Sequence, residues 1–178
     1  MSALQGAELQ RLPVALVPIS IGRPAMLSLT PGVMRAFGSE DIGEAGLLTG
    51  WAATEAGHAW NDGVDATLLI ATRRQPGSTE LELFVEPYVT RQNPMQDLTL
   101  YVNGARAGYW RMQEREVTRL VAWIDPSWWR EVHDRAVLRL VFHMPQSASP
   151  AQLGDGFDLR QLGLSFRSIA LLTSSTEA

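Results

Sequence analysis

Leu98-Thr99-Leu100-Tyr101-Val102-Asn103-Gly104-Ala105 is the stretch that decides the fold. Leu98, Leu100 and Val102 alternate with Thr99 and Tyr101, so an extended chain here sends its apolar side chains to one side only. Asn103-Gly104 then stops the run. Both residue types tolerate the positive φ that a type I′ turn requires twice. Ala105 to Met112 follows as the returning strand. A strand, a tight turn and a strand make an antiparallel hairpin with one face buried and one wet.

The same period recurs on both sides. Upstream, Ala66, Leu68 and Ile70 alternate with Asp65, Thr67 and Leu69, and Leu81, Leu83 and Val85 alternate with Glu80, Glu82, Phe84 and Glu86. Downstream, Glu116 to Ile124 reads as a strand, and Leu138, Leu140 and Phe142 alternate with Arg139, Val141 and His143. In Leu164 to Leu172 the apolar parity slips, which predicts a bulge near Arg167-Ser168. Asn61-Asp62-Gly63, Pro76-Gly77-Ser78 and Arg91-Gln92-Asn93-Pro94 are turn signals between these runs. Helical crossovers are missing, which disfavours a parallel sheet. The expected fold is all-β, an antiparallel β-sandwich of the jelly-roll, galactose-binding-like kind, with one or two short helices. One helix is expected to start at Asp125-Pro126, with Asp125 as N-cap, and to run towards Val132. A single helical turn is expected over Val33 to Phe37. The sandwich is placed at residues 25–172. Residues 1–24 are assigned to an N-terminal arm or edge strand, because Pro13 and Pro18 interrupt the apolar run, and 173–178 to a polar tail.

Composition bounds the function. The net charge is -4 in 178 residues, without a basic run, which argues against nucleic acid. Cysteine is absent, which excludes thiolate catalysis, a disulfide framework and cysteine-ligated zinc. The N-terminal apolar run lacks a basic lead and a cleavage pattern and is too short to span a membrane, so a cytoplasmic protein is expected. His58, His133 and His143 are scattered, and no G-x-S-x-G elbow occurs. Glu80, Glu82 and Glu86 are read as solvating one strand face rather than as a hydrolytic pair. No cofactor is called for; a structural calcium held by Asp62, Asp65, Asp155 and Asp158 is the one option.

The six tryptophans offer another chemistry, since sugar rings stack on flat aromatic faces. Trp110 and Trp123 are expected in the core. Adjacent Trp128 and Trp129 cannot both face inward, so one should be partly exposed. Trp51 and Trp60 bracket one loop, and Trp60 stands beside the hydrogen-bonding pair Asn61 and Asp62. Trp60, Asn61, Asp62, Trp51 and Asp158 are therefore the candidate ligand-binding residues. A tryptophan plugging the end of the sandwich, and an Asp158–Arg160 pair tying a loop, are the structural alternatives.

The connection Ser149-Pro150-x-x-Leu153-Gly154-x-x-x-Asp158-x-Arg160-x-Leu162-Gly163 resembles that of a family of β-sandwich domains found beside or within bacterial enzymes of cell-envelope and exopolysaccharide synthesis. These domains accompany glycosyltransferases and phosphoglycerol-transferase-like membrane proteins. Gly50-Trp51, Glu55, Trp60-Asn61-Asp62-Gly63 and Val102-Asn103-Gly104 belong to the same resemblance, which runs from about Leu47 to Leu172. Family members often carry an arginine where this chain has Ala59. The resemblance implies a jelly-roll, carbohydrate-binding-like module without catalysis of its own. It also brings the Trp60 and Asp158 loops to one end of the sandwich, joined by a Glu55–Arg160 ion pair. Three functions follow as expectations. The first is a non-catalytic accessory module of cell-surface polysaccharide synthesis that binds a glycan. The second is a protein–protein scaffold that docks to a glycosyltransferase or to itself as a homo-oligomer. The third is a glycan-modifying enzyme.

Overall fold

The computed structural model describes residues 25–38, 40–73, 79–132 and 134–173. The expected N-terminal arm and polar tail lie outside them. In chain order the strands are β1 (Leu27–Ser28), β2 (Arg35–Ala36), β3 (Leu47–Thr49), β4 (Ala59–Trp60), β5 (Asp65–Thr72), β6 (Thr79–Pro87), β7 (Gln96–Val102), β8 (Ala105–Met112), β9 (Thr118–Ile124), β10 (Arg130–Val132), β11 (Arg135–His143) and β12 (Leu164–Thr173). The helical pieces are a 3-10 turn at Pro126–Trp128 and a single α-turn, α1 (Pro150–Leu153). One sheet runs β1-β5-β11-β7-β8, with β3 beside β5 and β10 beside β11; the other runs β2-β12-β6-β9, with β4 beside β12. Every pairing is antiparallel except the two-residue contact of β1 with β5. The all-β sandwich expected from the alternation is the fold that forms.

The alternation places the core. Ala66, Leu68 and Ile70 of β5, Leu98, Leu100 and Val102 of β7, and Leu138, Leu140 and Phe142 of β11 are fully buried, facing Leu81, Leu83 and Val85 of β6 and Leu164, Phe166, Ile169 and Leu171 of β12. Burying side chains of this size contributes about 1.5–3 kcal/mol each before the cost of ordering them. The β7–β8 hairpin turns at Asn103 (φ 49°) and Gly104 (φ 92°), the two positive values a type I′ turn needs. Asn103 also fastens the turn: its amide donates to Trp128 O at 2.7 Å and Val137 O at 3.1 Å and accepts from Arg139 N at 2.9 Å. In β12 the register against β6 shifts between Phe166 and Ser168, the bulge read from the parity slip.

Several expectations are corrected. Residues 33–37 make no helical turn; Arg35 and Ala36 pair with β12 instead, which seats Phe37 in the core against Trp51, with ring centroids 5.7 Å apart. Asp125 does cap, accepting from Ser127 N at 2.8 Å, but the helix ends after one 3-10 turn and the chain re-enters a sheet as β10. The adjacent tryptophans do divide as expected, Trp129 buried and Trp128 only half-buried. Trp110 is half-buried against the core. Trp123 is 56% exposed, because Leu120, Ala122 and Ile124 hold the inner face of β9 and parity turns Trp123 outward. Two of the three β6 carboxylates are not free solvating groups: Glu82 is buried and bonded to Arg119, and Glu86 is bonded to Arg167.

Candidate functional site

The connections that carry the candidate residues meet at one end of the sandwich. There the chain leaves β4 through Asn61-Asp62-Gly63 and enters β5. The β11–β12 connection, with α1 in it, folds over the same end. Tyr88 follows β6 beside it.

Asn61 is the point where the two connections are locked. It is fully buried, and its side chain makes five hydrogen bonds. The amide donates to Gly63 O (2.6 Å), Ser147 Oγ (3.0 Å) and Gln161 O (3.1 Å). The carbonyl accepts from Gly163 N (2.8 Å) and Leu164 N (2.7 Å). An amide has two donor hydrogens and two acceptor lone pairs, so this group has no capacity left for a ligand. Gly163 is needed for the approach: a Cβ there would lie 2.5 Å from Ser147 Oγ and 3.3 Å from Asn61 Oδ1. Asp62 is exposed and extends the lock by accepting from Gln161 N at 2.8 Å.

The second fastening is ionic. Arg160 Nε lies 3.1 and 3.0 Å from the two oxygens of Asp158, and Nη2 lies 2.6 Å from Oδ2. The Arg160 backbone N–H also donates to Asp158 Oδ1 at 2.9 Å. The free corner of the guanidinium, Nη1, donates to Glu55 Oε1 at 3.1 Å, the pair that the resemblance implied. Bonds from the Arg160 side chain and backbone N–H hold the Asp158 carboxyl below its usual value. The Asp158 carbonyl accepts from Ala151 N at 3.0 Å and Ser149 Oγ at 2.8 Å, which closes the loop back onto α1. Held this way, the loop turns Phe157 (99% exposed) and Leu159 (79% exposed) to solvent.

Trp60 stands beside these fastenings. Its neighbour Ala59 is buried in the core, so parity turns Trp60 to the outer side of the second sheet, where it is half-buried. His58 and Tyr88 each meet the Trp60 ring edge to face, with centroids 6.3 Å away and interplanar angles of 84° and 88°. Tyr88 donates its hydroxyl to Asp155 Oδ2 at 2.9 Å, and burial followed by this bond pushes its pKa up to about 12. It stays protonated, and the bond to Asp155 stays made. His58 is fixed by Ala56 O at 3.1 Å and Glu55 Oε2 at 3.4 Å.

Trp51 occupies a different place. Its indole N–H donates to Thr67 O at 2.8 Å, and its ring packs on Phe37, Phe142 and Phe166. It closes the core under the loop. The loop carboxylates do not converge: Asp62 serves Gln161 N, Asp65 lies 2.8 Å from His143 Nδ1, Asp155 serves Tyr88 and Asp158 serves Arg160. Among the described residues no group of three or more His, Asp or Glu side chains is placed to hold a metal ion. Tyr88, Ser147 and Gln161 are contributors without a local cue in the sequence; all three are tied in by residues distant in the chain. A separate polar cleft of about 740 Å3 lies at the opposite end, lined in part by Thr72, Arg73, Asp134 and Arg135.

No family model matches the sequence, and no curated protein does. Solved structures are similar at low identity. One is the CBM36-1 domain of a multidomain xylanase from the hindgut metagenome of Trinervitermes trinervoides, at 11% identity over 81% of this chain and 98% of that one, with a TM-score of 0.48. Another is the CBM22-1 xylan-binding domain of Xyn10C from Paenibacillus barcinonensis, at 11% identity over 85% and 100%, with a TM-score of 0.38. A third is a family GH115 4-O-methyl-α-glucuronidase with specificity for decorated arabinogalactans, at 10% identity, with a TM-score of 0.44. That match covers 72% of this chain and 16% of the enzyme.

Proposed function

We propose that the chain is a non-catalytic glycan-binding β-sandwich module that receives a sugar at its loop end, on Trp60. The observation that carries this reading is a partly exposed indole on the sheet's outer side, braced perpendicularly by His58 and Tyr88. A ring held in that way loses little freedom when the C–H face of a sugar stacks on it. The exposed Asp62 carboxylate accepts from Gln161 N through Oδ1 and keeps acceptor capacity for sugar hydroxyls. Asn61 and Trp51, saturated inside the structure, shape the platform without touching the ligand. A setting in cell-surface or exopolysaccharide synthesis, beside a glycosyltransferase, rests on the sequence resemblance alone.

One feature favours a second reading, a protein-docking module. Phe157 and Leu159 project from a well-tied loop at the same end. Glycan-array binding followed by affinity electrophoresis separates the two readings. Wild type should bind a glycan, and Trp60→Ala should bind it at least about tenfold more weakly, a loss of about 1.4 kcal/mol. Wild type binding no glycan would overturn the first reading.

A further inference from the structure

Among the described strands, β9 is the long sheet edge that is left unblunted. β1, β2 and β4 have two residues each, and β10 has three. β3 has three residues and a register shift against β5. β8, the edge of the first sheet, is eight residues long, but its register breaks opposite Leu100 and Tyr101, and it sends Arg106 and Arg111 outward. Bulges, short strands and charged side chains are the usual means of stopping one edge from pairing with another. β9 has none of these in full. Its seven residues pair with β6 in unbroken register, and no other described strand pairs with it. Its outward face carries Val121 and the exposed Trp123, with Arg119 as its single charge.

The sequence of this edge is self-complementary. We infer that two copies of the chain join through β9, antiparallel, about a two-fold axis at Val121. In that register Val121 faces Val121 of the second copy, and Arg119 faces Trp123 twice. A guanidinium over an indole face is the most favourable cation–π geometry, and cross-strand pairs of this kind stabilise a sheet. Arg119 keeps its own Glu82, so its charge is balanced while it covers the ring. On the inner side Leu120 faces Ala122, and Thr118 faces Ile124, which continues the apolar layer. All seven residues pair, and no like charges oppose. An axis at Arg119 would set two guanidinia against each other, and one at Trp123 would shorten the ladder. Pro126, without an N–H, limits pairing beyond Ile124. An edge joined to its own copy is a closed, isologous contact, which ends at a dimer. This inference stands apart from the glycan reading, because β9 contributes nothing to the Trp60 platform.

Sedimentation of the 178-residue chain tests it. Wild type should sediment at twice its 19.6 kDa mass. Val121→Lys, which brings two ammonium groups together on the axis, should halve that mass. Val121→Glu should do the same, and an equimolar mixture of the two variants should restore the dimer. Wild type at monomer mass at every concentration, or a dimer that survives Val121→Lys, overturns the inference. Should the charged variants misfold, the absence of cysteine gives a second route. Val121→Cys should oxidise to a covalent dimer while Thr99→Cys, on the outer face of the other sheet, forms no cross-link under the same conditions; equal cross-linking of both also overturns it.

Discussion

Asn61 and Arg160 fasten the same loop by opposite means. Asn61 is neutral and fully buried, and it reaches five partners across two connections. Arg160 is charged and partly exposed, and it spreads its guanidinium over Asp158 and Glu55. A buried group that loses its partner leaves orphans that water cannot reach, whereas an exposed ion pair returns its members to solvent. The amide therefore governs whether the loop end exists. The ionic lattice governs how tightly the loop tip is held.

The largest effect is expected where the buried lock is broken. Asn61→Ala leaves the Gly163 and Leu164 N–H groups without an acceptor and should cost about 3 kcal/mol or more, read as a shift in the urea midpoint. A loss below about 1 kcal/mol would mean that water replaces the amide, and the contrast with Arg160 would fail. Asp158→Ala should cost about 1 kcal/mol, and raised salt should shrink the difference from wild type. Acid should separate the two fastenings. The Asp158 carboxyl is held below its usual value of 3.8, so its contribution is full above that pH and fades as the pH falls through the lower, folded value. Asn61 has no proton to gain. Amide exchange should therefore show Arg160 N–H losing protection in acid before Gly163 N–H does. Asp97, held at about 2 chiefly by its bonds with Arg111, should release only near that pH. The smallest effect is expected for Glu55→Gln, about a few tenths of a kcal/mol, since its carboxylate is the outermost member of the lattice.

The same contrast explains what could be read in advance. Strands β5, β6, β7 and β11 were legible because only one parity of each is apolar without a break, and a core face follows directly. β9 was ambiguous: Leu120, Ala122 and Ile124 share one parity, and Val121 and Trp123 the other. Both look buriable, and pairing with β6 decides between them. Residues 33–37 depart from the expected helical turn because two residues of pairing leave no period, and only the distant β12 makes a strand of Arg35 and Ala36. Asn61 beside Trp60 reads as a ligand group, yet its burial is imposed by residues 161–164, a hundred positions away. The Asp158–Arg160 pair was readable because its members are two residues apart; Glu55 joined it through a resemblance in spacing, not through local chemistry.

The position of β12 has a consequence for synthesis. This late strand is flanked by β6 on one side and by β2 and β4 on the other, so it is the keystone of the five-stranded sheet. A ribosome that has delivered everything up to Gly163 has made a seven-stranded layer whose greasy side has only the β6–β9 pair to cover it. Vectorial emergence from the tunnel therefore leaves the second sheet incomplete until its last strand is out. It must wait with apolar surface open until the closing strand arrives, and that interval is when a holdase would find most to grip.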